Sequence, residues 1–332
     1  MKAAFYEATG AAKDVLQLGD LADPRPAPGE VLVKVAVSAV HPTDVKKRAG
    51  AGGPVQFPRV IPHSDGAGRI VAVGDGVDPA RVGERIWIWN ASWKRAFGTA
   101  AELTALPAEQ AVKLPEKVTF SLGATLGIPA VTAHRCLFAD GSIDGMTILV
   151  TGGTGTVGSA AIQMAKRSKA RVIATVSTNL KAEHAVQMGA DAIVNYRDSD
   201  AAAQILAANG GRDVDRIIEV EFGGNLATSQ AVLAENGTIV AYGSMAVPKP
   251  VLPFYDMMFA NQTLRTVLAY TIPDDARKQA ENDIHDWMTD GALAVPISDE
   301  FPLDEIVAAH EAVEAGNRIG VSLVRIADDT AI

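Results

Sequence analysis

Two stretches hold residue types that can do chemistry. Residues 60–68 read VIPHSDGAG and put His63, Ser64 and Asp65 side by side ahead of a pair of glycines. Imidazole, hydroxyl and carboxylate are metal-ligating and acid–base groups, so this stretch raises the question of a metal. Residues 147–166 read TILVTGGTGTVGSAAIQMAK, in which Gly153, Gly155 and Gly158 form G-x-G-x-x-G. The first glycine permits a tight turn, the second lets the backbone approach a pyrophosphate, and the third lets a helix lie close on its strand. Thr156 and Val157 open that helix, whose free N–H groups and positive dipole end suit phosphate. The single cysteine, Cys136, lies in the apolar run AHRCLF and reads as a buried thiol.

The elements that must position these groups change character near residue 120. Before it, short β-rich pieces are punctuated by Gly and Pro, as in EVLVKVAVSAV, where Val31, Val33, Val35 and Val37 share one face, and in GRIVAVGDGV and ERIWIWN. They predict a compact, mostly antiparallel β domain. After it, strand and helix alternate. MTILVT, ARVIATV, DAIVNY, VDRIIEV and GTIVAYG are strands. Helices run from about Val157 to Arg167, through NLKAEHAVQMG, and through NLATSQAVLAENG. Continuous apolar strands alternating with helices predict a parallel sheet covered on both faces. The tail from about Asn261 is expected to fold back onto the first domain. The fold class is therefore α/β: a β-rich domain from residues 1–122 and 261–332, and a doubly wound parallel sheet from 123–260.

A chain of 332 residues needs two domains at least. A net charge of −9 argues against nucleic acid or an anionic membrane surface as partner. The amino terminus, MKAAFYEATG, lacks a long apolar segment, and no stretch approaches the length of a membrane span, so a cytoplasmic location is expected.

The end of the second strand bears on which dinucleotide the glycine loop holds. An NAD site usually carries an acid there. Here the segment reads VIATVSTNLK: Thr175, Ser177, Thr178 and Asn179 are uncharged, and Lys181 follows. A carboxylate would repel a 2′-phosphate and an ammonium would hold it, so NADP(H) is the expected cofactor. Lys181 also reads as an ordinary solvated helix lysine, and the missing acid is the stronger sign.

Taken in order, PAPGEVLVKV, HPTDVKKRAG, SDGAGRIVAVGDGV, GERIWI, LGIPAVTAHR, the glycine loop, GADAIVNY and NQTLRTVL resemble the medium-chain dehydrogenase/reductase superfamily over nearly the whole chain. The resemblance is nearest to its zinc-free NADPH:quinone reductases, the zeta-crystallin-like group. It implies a GroES-like catalytic domain from both chain ends, a Rossmann domain between, an active-site cleft at their junction, and homodimers or homotetramers joined through Rossmann edge strands. It further implies that Lys181 and Tyr196, helped by Ser177, hold the 2′-phosphate. Thr132 would approach the nicotinamide, and Tyr242, Gly243 and Ser244 would line the cofactor. Motif matching places His41 on the first zinc cysteine of zinc-dependent relatives, Ser64 and Asp65 on their His-Glu pair, and Ile128 on the second cysteine. Ile128 has no donor atom, and Ser64 is a poor ligand. The metal is therefore expected to be absent, with PHSDGAG the entry to a strand near the active site.

Without a Lewis acid, an alkoxide product is hard to stabilise, whereas the enolate or phenolate from a conjugated carbonyl spreads its charge. An electron-poor small molecule, a quinone or an α,β-unsaturated carbonyl, is the expected substrate. Zinc-free relatives usually carry asparagine in place of His41 and tyrosine in place of Lys46, while Arg48 is kept. His41, Lys46 and water are the candidate proton sources, and His41 reads equally as the acid and as a histidine capping the turn before Pro42. Lys46 and Arg48 either anchor an acidic acceptor, as in a 2-enoate (haloacrylate-type) reductase, or form a solvated face with Lys47. Asn90, Ser92 and Trp93 suggest a loop beside the substrate, or a plain surface loop. Glu221 and Asn225 are further candidates for contact with cofactor or substrate. A non-catalytic NADPH-binding protein, a sensor or structural protein, is the reading from another class.

Overall fold

The structure is a computed structural model that describes residues 1–198 and 200–327. The chain divides into two units, one of Met1–Ile128 with His285–Ile332 and one of Pro129–Ile284.

The first unit contains β1 (Lys2–Phe5), β2 (Gln17–Asp20), β3 (Glu30–Val40), β4 (Asp65–Val73), β5 (Arg85–Ile88), β6 (Leu103–Pro107) and β7 (Ala111–Lys113). β1 and β2 form a hairpin of their own. β3, β4, β5 and β7 form an antiparallel run inside a seven-stranded sheet, and β6 also pairs with β3. In β3 the alternation of valines holds only as far as Val35. Pairing with β4 then slips between Val35 and Val37, and from Val35 to His41 every residue is buried. A bulge adds one residue to one strand and re-aims the side chains beyond it. Here it leaves Ser38 fully buried, so its hydroxyl must find partners inside the protein.

Just past β3, Pro42 begins the helix Pro42–Ala49. His41 is the residue ahead of it, and its N–H donates to Asp44 Oδ2 at 2.8 Å. Proline suits that first helical position because its missing donor is not needed there. Gly50, at φ 103°, ends the helix in the left-handed region.

The second unit is a six-stranded parallel sheet: β8 (Thr147–Val150), β9 (Arg171–Val176), β10 (Ala192–Asn195), β11 (Val214–Glu219), β12 (Leu233–Ala241) and β13 (Thr263–Thr266). Its order is β10-β9-β8-β11-β12-β13. The order reverses between β8 and β11, and in such sheets ligands bind beyond the carboxyl ends of the strands at this point. β8 is buried throughout, and β9 and β11 nearly so, because helices cover both faces.

Two sequence-based boundaries need correction. The tail does not return to the first unit at residue 261, because Thr263–Thr266 pairs in parallel with β12 (Thr238↔Thr263 to Ala241↔Thr266) as the sixth strand. The second unit therefore runs to Ile284. The first boundary moves from 122 to 128, inside the helix Gly127–Phe138. β14 (Ile297–Pro302) and β15 (Val321–Arg325) complete the first unit's sheet. They pair in parallel with each other, and β15 pairs antiparallel with β3.

Candidate active site

In the second unit the glycine loop joins β8 to the helix Thr156–Arg167, with Gly155 as the residue before its first turn. Gly153 N–H donates to Thr175 O at 3.0 Å and Gly152 N–H to Thr175 Oγ1 at 3.2 Å, which ties the loop to the end of β9. A Cβ on Gly158 would come within 3.0 Å of Gly152 O and stand 2.9 Å from Gly153 Cα, so only glycine lets the helix sit this close. Gly155 is exposed, Thr156 and Val157 are half-buried, and no side chain caps this helix. Its first N–H groups thus lack intrahelical partners and suit an anion.

At the carboxyl ends of β9 and β10, Val176 pairs with Asn195, and Tyr196 N–H donates to Val176 O at 3.0 Å. This register sets Ser177 beside Tyr196. Thr178 opens the helix Asn179–Gln187 and accepts from Lys181 N–H at 3.3 Å, so Lys181 lies in its first turn. Ser177 is buried, Lys181 half-buried, and Tyr196 50% exposed. No acid intervenes. The sequence motifs that named Ser177, Lys181 and Tyr196 thus fall at one end of two neighbouring strands.

Several other named residues of this unit are also bonded within the protein. Ser244 Oγ accepts from Gly223 N–H at 2.9 Å and donates to Val247 O at 2.6 Å. Gly243 O accepts from Phe222 N–H, and Tyr242 N–H donates to Glu219 O. Thr132 is 5% exposed on the helix Gly127–Phe138. Glu221 accepts from the N–H groups of Met245 and Ala246, and Asn225 donates to Glu219. Glu219, fully buried, also accepts from Thr151 Oγ1, Ser229 Oγ and Glu221 N–H. Sequence reasoning missed this carboxylate, whose only trace was an acid ending an apolar strand. Cys136 is fully buried, and burial pushes its thiol up to about 12, which removes it as a nucleophile.

In the first unit, the antiparallel register pairs Ala39 with Asp65. That places His41, two residues on, against the start of β4. His41 Nε2 lies 2.7 Å from Asp65 Oδ2, and both residues are buried. Asp65 Oδ2 also accepts from Ile128 N–H at 2.7 Å, and Oδ1 from Asn90 N–H at 3.2 Å. Burial opposes charge on His41. The attraction and hydrogen bond of Asp65, with the field of Asp44, outweigh it and raise the imidazole pKa. Burial pushes the Asp44 carboxyl up to about 6. Asn90 sits at φ 63°, a conformation that asparagine tolerates better than most residues.

His63, at φ 74°, has its Nδ1 2.8 Å from Ser38 Oγ and its Nε2 3.0 Å from His310 Nε2, with the two rings stacked. Ser38 Oγ lies 2.7 Å from Thr99 Oγ1, which donates to Asp65 O at 2.6 Å. This chain of polar groups pins the backbone of Asp65. Burial, with repulsion from His310 and His41, holds His63 well below an ordinary imidazole, and burial followed by Arg48 holds His310 at about 3. His310 carried no signal in the sequence.

Arg48 and Lys46 part company. Arg48 is fully buried, its guanidinium donating to Gly10 O and to the carboxylate of Glu314, whereas Lys46 is exposed. Lys47 Nζ donates to Ser92 O at 3.2 Å, and Ser64 Oγ lies 2.7 Å from Ser92 Oγ. Lys46 and Arg48 therefore do not form one anion-anchoring face: Lys46 points to solvent, while the Arg48 guanidinium is wholly buried, with both terminal nitrogens given to protein acceptors and only Nε unpaired.

These positions do not fit zinc. His41 Nε2 is bonded to Asp65, Ser64 to Ser92, and Ile128 offers an N–H, a donor rather than a lone pair. Among the described residues no three His, Cys, Asp or Glu side chains converge as a metal site would require.

Comparison with known proteins gives two family matches: "Alcohol dehydrogenase GroES-like domain" over residues 27–116 and "Zinc-binding dehydrogenase" over 156–286. The quinone oxidoreductase of Homo sapiens is 31% identical over 307 residues, 92% of this chain and 91% of that protein. The structure of an NAD-dependent alcohol dehydrogenase superposes with a TM-score of 0.89 at 26% identity, covering 98% of this chain and all of the other. A mycobacterial protein solved in complex with NADPH superposes with a TM-score of 0.87 at 27% identity, over 98% and 100% of the two chains. The chain belongs to the medium-chain dehydrogenase/reductase superfamily, in its zeta-crystallin-like quinone oxidoreductase group.

Proposed function

We propose that this protein is an NADPH-dependent, zinc-independent reductase of quinones or other α,β-unsaturated carbonyls. One observation carries the reading: where zinc-dependent relatives bind their metal, this chain has a hydrogen-bonded imidazole and carboxylate, while the glycine loop of a dinucleotide site is intact. Loop residues Gly153–Gly158 would hold the pyrophosphate, and Ser177, Lys181 and Tyr196 the 2′-phosphate, favouring NADP(H) over NAD(H). When bound, the reduced nicotinamide supplies a hydride. The chain's own task is then to steady the electron pair that moves onto the acceptor's oxygen and to give it a proton. A delocalised enolate or phenolate needs only hydrogen bonds and one acid for this, and His41 would be the proton source.

The burial of Arg48 withdraws what favoured a carboxylate acceptor, so the 2-enoate reading loses its support. Self-association belongs to the same proposal. β13 ends the parallel sheet, and the preceding segment exposes Val251, Phe254, Tyr255 and Phe259 beside a groove of about 530 Å³. Sedimentation is expected to show a dimer or tetramer, dissociated by Phe259→Glu.

The test is a panel of quinones, enones, 2-enoates and simple ketones, followed by NADPH absorbance. Turnover confined to conjugated acceptors, with NADPH preferred to NADH, is expected. Tight NADPH binding without turnover of any acceptor would replace this reading with that of a binding protein.

A further inference from the structure

Resting on that reading and refining it, we infer that His41 gives up its proton from Nδ1, and that Asp65 is the positioning residue that makes it do so. Asp65 is fully buried, and all its side-chain contacts are with nitrogens: Ile128 N–H, Asn90 N–H and His41 Nε2. A carboxylate already accepting two main-chain N–H groups takes a third hydrogen bond from Nε2–H, which fixes the imidazole tautomer. The other ring nitrogen, Nδ1, is buried without a hydrogen bond of its own: Asp44 N–H, which faces the His41 side chain at the start of the helix, donates to His41 O at 3.0 Å. Leaving a buried polar atom unpaired costs about 1–3 kcal/mol, so its persistence points to a group from outside the chain. Asn90 repeats the pattern: its N–H holds Asp65, and its buried side-chain Oδ1 has no protein partner. Asp65 thus holds two residues that each leave a buried polar atom unpaired: His41 Nδ1, which when protonated can donate to a carbonyl oxygen, and Asn90 Oδ1, which can only accept, from a hydroxyl or a water.

The charged groups around His41 agree. Asp65 on β4 and Asp44 on the helix Pro42–Ala49 favour the imidazolium. Arg318, ahead of β15, opposes it, and His63, in the turn before β4, is held neutral. Near neutral pH the ring can therefore hold a proton on each nitrogen. In the transfer, the N–H bond at Nδ1 breaks and its electron pair stays on nitrogen. An O–H bond forms on the acceptor's oxygen, using the pair that the hydride displaced. Neutral His41 keeps Nε2–H on Asp65 and regains its proton from solvent. The dyad fills the metal's positions and supplies positive charge and a proton together, where a zinc ion would supply charge alone.

The test pairs a spectrum with kinetics, on the full chain. ¹⁵N-histidine NMR without cofactor or acceptor resolves six imidazoles, and His41 is identified by its loss in His41→Gln. An Nε2–H tautomer titrating above 6.5 is expected, dropping below 6.5 in Asp65→Asn. With 1,4-naphthoquinone as acceptor, kcat of both variants is expected to fall about 10²-fold, the usual worth of a general acid, with KM for NADPH unchanged. The alkaline limb of wild-type kcat should vanish in His41→Gln, whose amide still bonds Asp65 and so preserves the fold. An Nδ1–H tautomer, or variants that keep the wild-type kcat and limb, would overturn the inference. Absence of any turnover would defeat the proposed function, whereas the spectrum judges the dyad by itself.

Discussion

Replacing Gly127 by alanine puts the Asp65 dyad under a direct steric load. A Cβ there would fall within 3.0 Å of Asp65 Cγ and of both its oxygens. Alanine is otherwise the better helix residue by up to about 1 kcal/mol, so the collision is the only penalty. To reach ordinary contact the carboxylate must retreat by about 1 Å. That stretches the 2.7 Å bonds from His41 and Ile128 past useful length. Each such bond to a charged group is worth about 1.5–3 kcal/mol. After partial relaxation the expected loss is about 3 kcal/mol, or about 6–12 °C in Tm for a unit of this size. All four tryptophans, Trp87, Trp89, Trp93 and Trp287, lie in the first unit, so their fluorescence in a thermal melt reads it selectively. Gly123→Ala is the control: the nearest atoms to its Cβ would be the flexible end of Leu114, at 2.9 and 3.2 Å, and Ala67 Cβ at 3.3 Å, with no atom of Asp65 among them. A Gly127→Ala protein melting within about 1 °C of wild type, with an unchanged His41 resonance, would refute the reasoning.

Lys181→Ala is expected to raise KM for NADPH about tenfold, the worth of one charge-assisted contact, and to leave KM for NADH unchanged in steady-state assays. Arg48→Ala is expected to cost about 2–3 kcal/mol in urea unfolding without changing KM for any acceptor. The loss is held down because Glu314 keeps 38% of its side chain in solvent. Acid should destabilise the first unit through His63 and His310. Their folded pKa values lie below 6.5, so their full contribution is present above pH 6.5 and is lost as pH falls toward about 3. Each adds about 1.4 kcal/mol per pH unit to that loss, and in His310→Leu the slope between pH 6 and 4 should fall by that amount.

The glycine loop and the strands around it were legible because backbone needs write themselves into sequence: close helix packing demands Gly158, and doubly covered strands demand unbroken apolar runs. β13 was not legible. TLRT is short and half exposed at a sheet edge, and only its register with β12 makes it a strand. His41 and Asp65 were both visible as chemical groups, but their pairing depends on the β3–β4 register and on the bulge after Val35, neither of which leaves a residue signature. Arg48 misled for the opposite reason. Three consecutive basic residues on a short helix read as one face, yet a helix turns about 100° per residue and sends Arg48 inward.

The central claim is that an organic acid, not a bound cation, completes the reduction of an acceptor activated by its own conjugation. Its most direct measurement is NADPH oxidation with 1,4-naphthoquinone before and after exhaustive chelation, with metal content determined on the same samples. The account predicts an unchanged kcat and only traces of zinc. Loss of activity on chelation, restored by stoichiometric zinc, would contradict it.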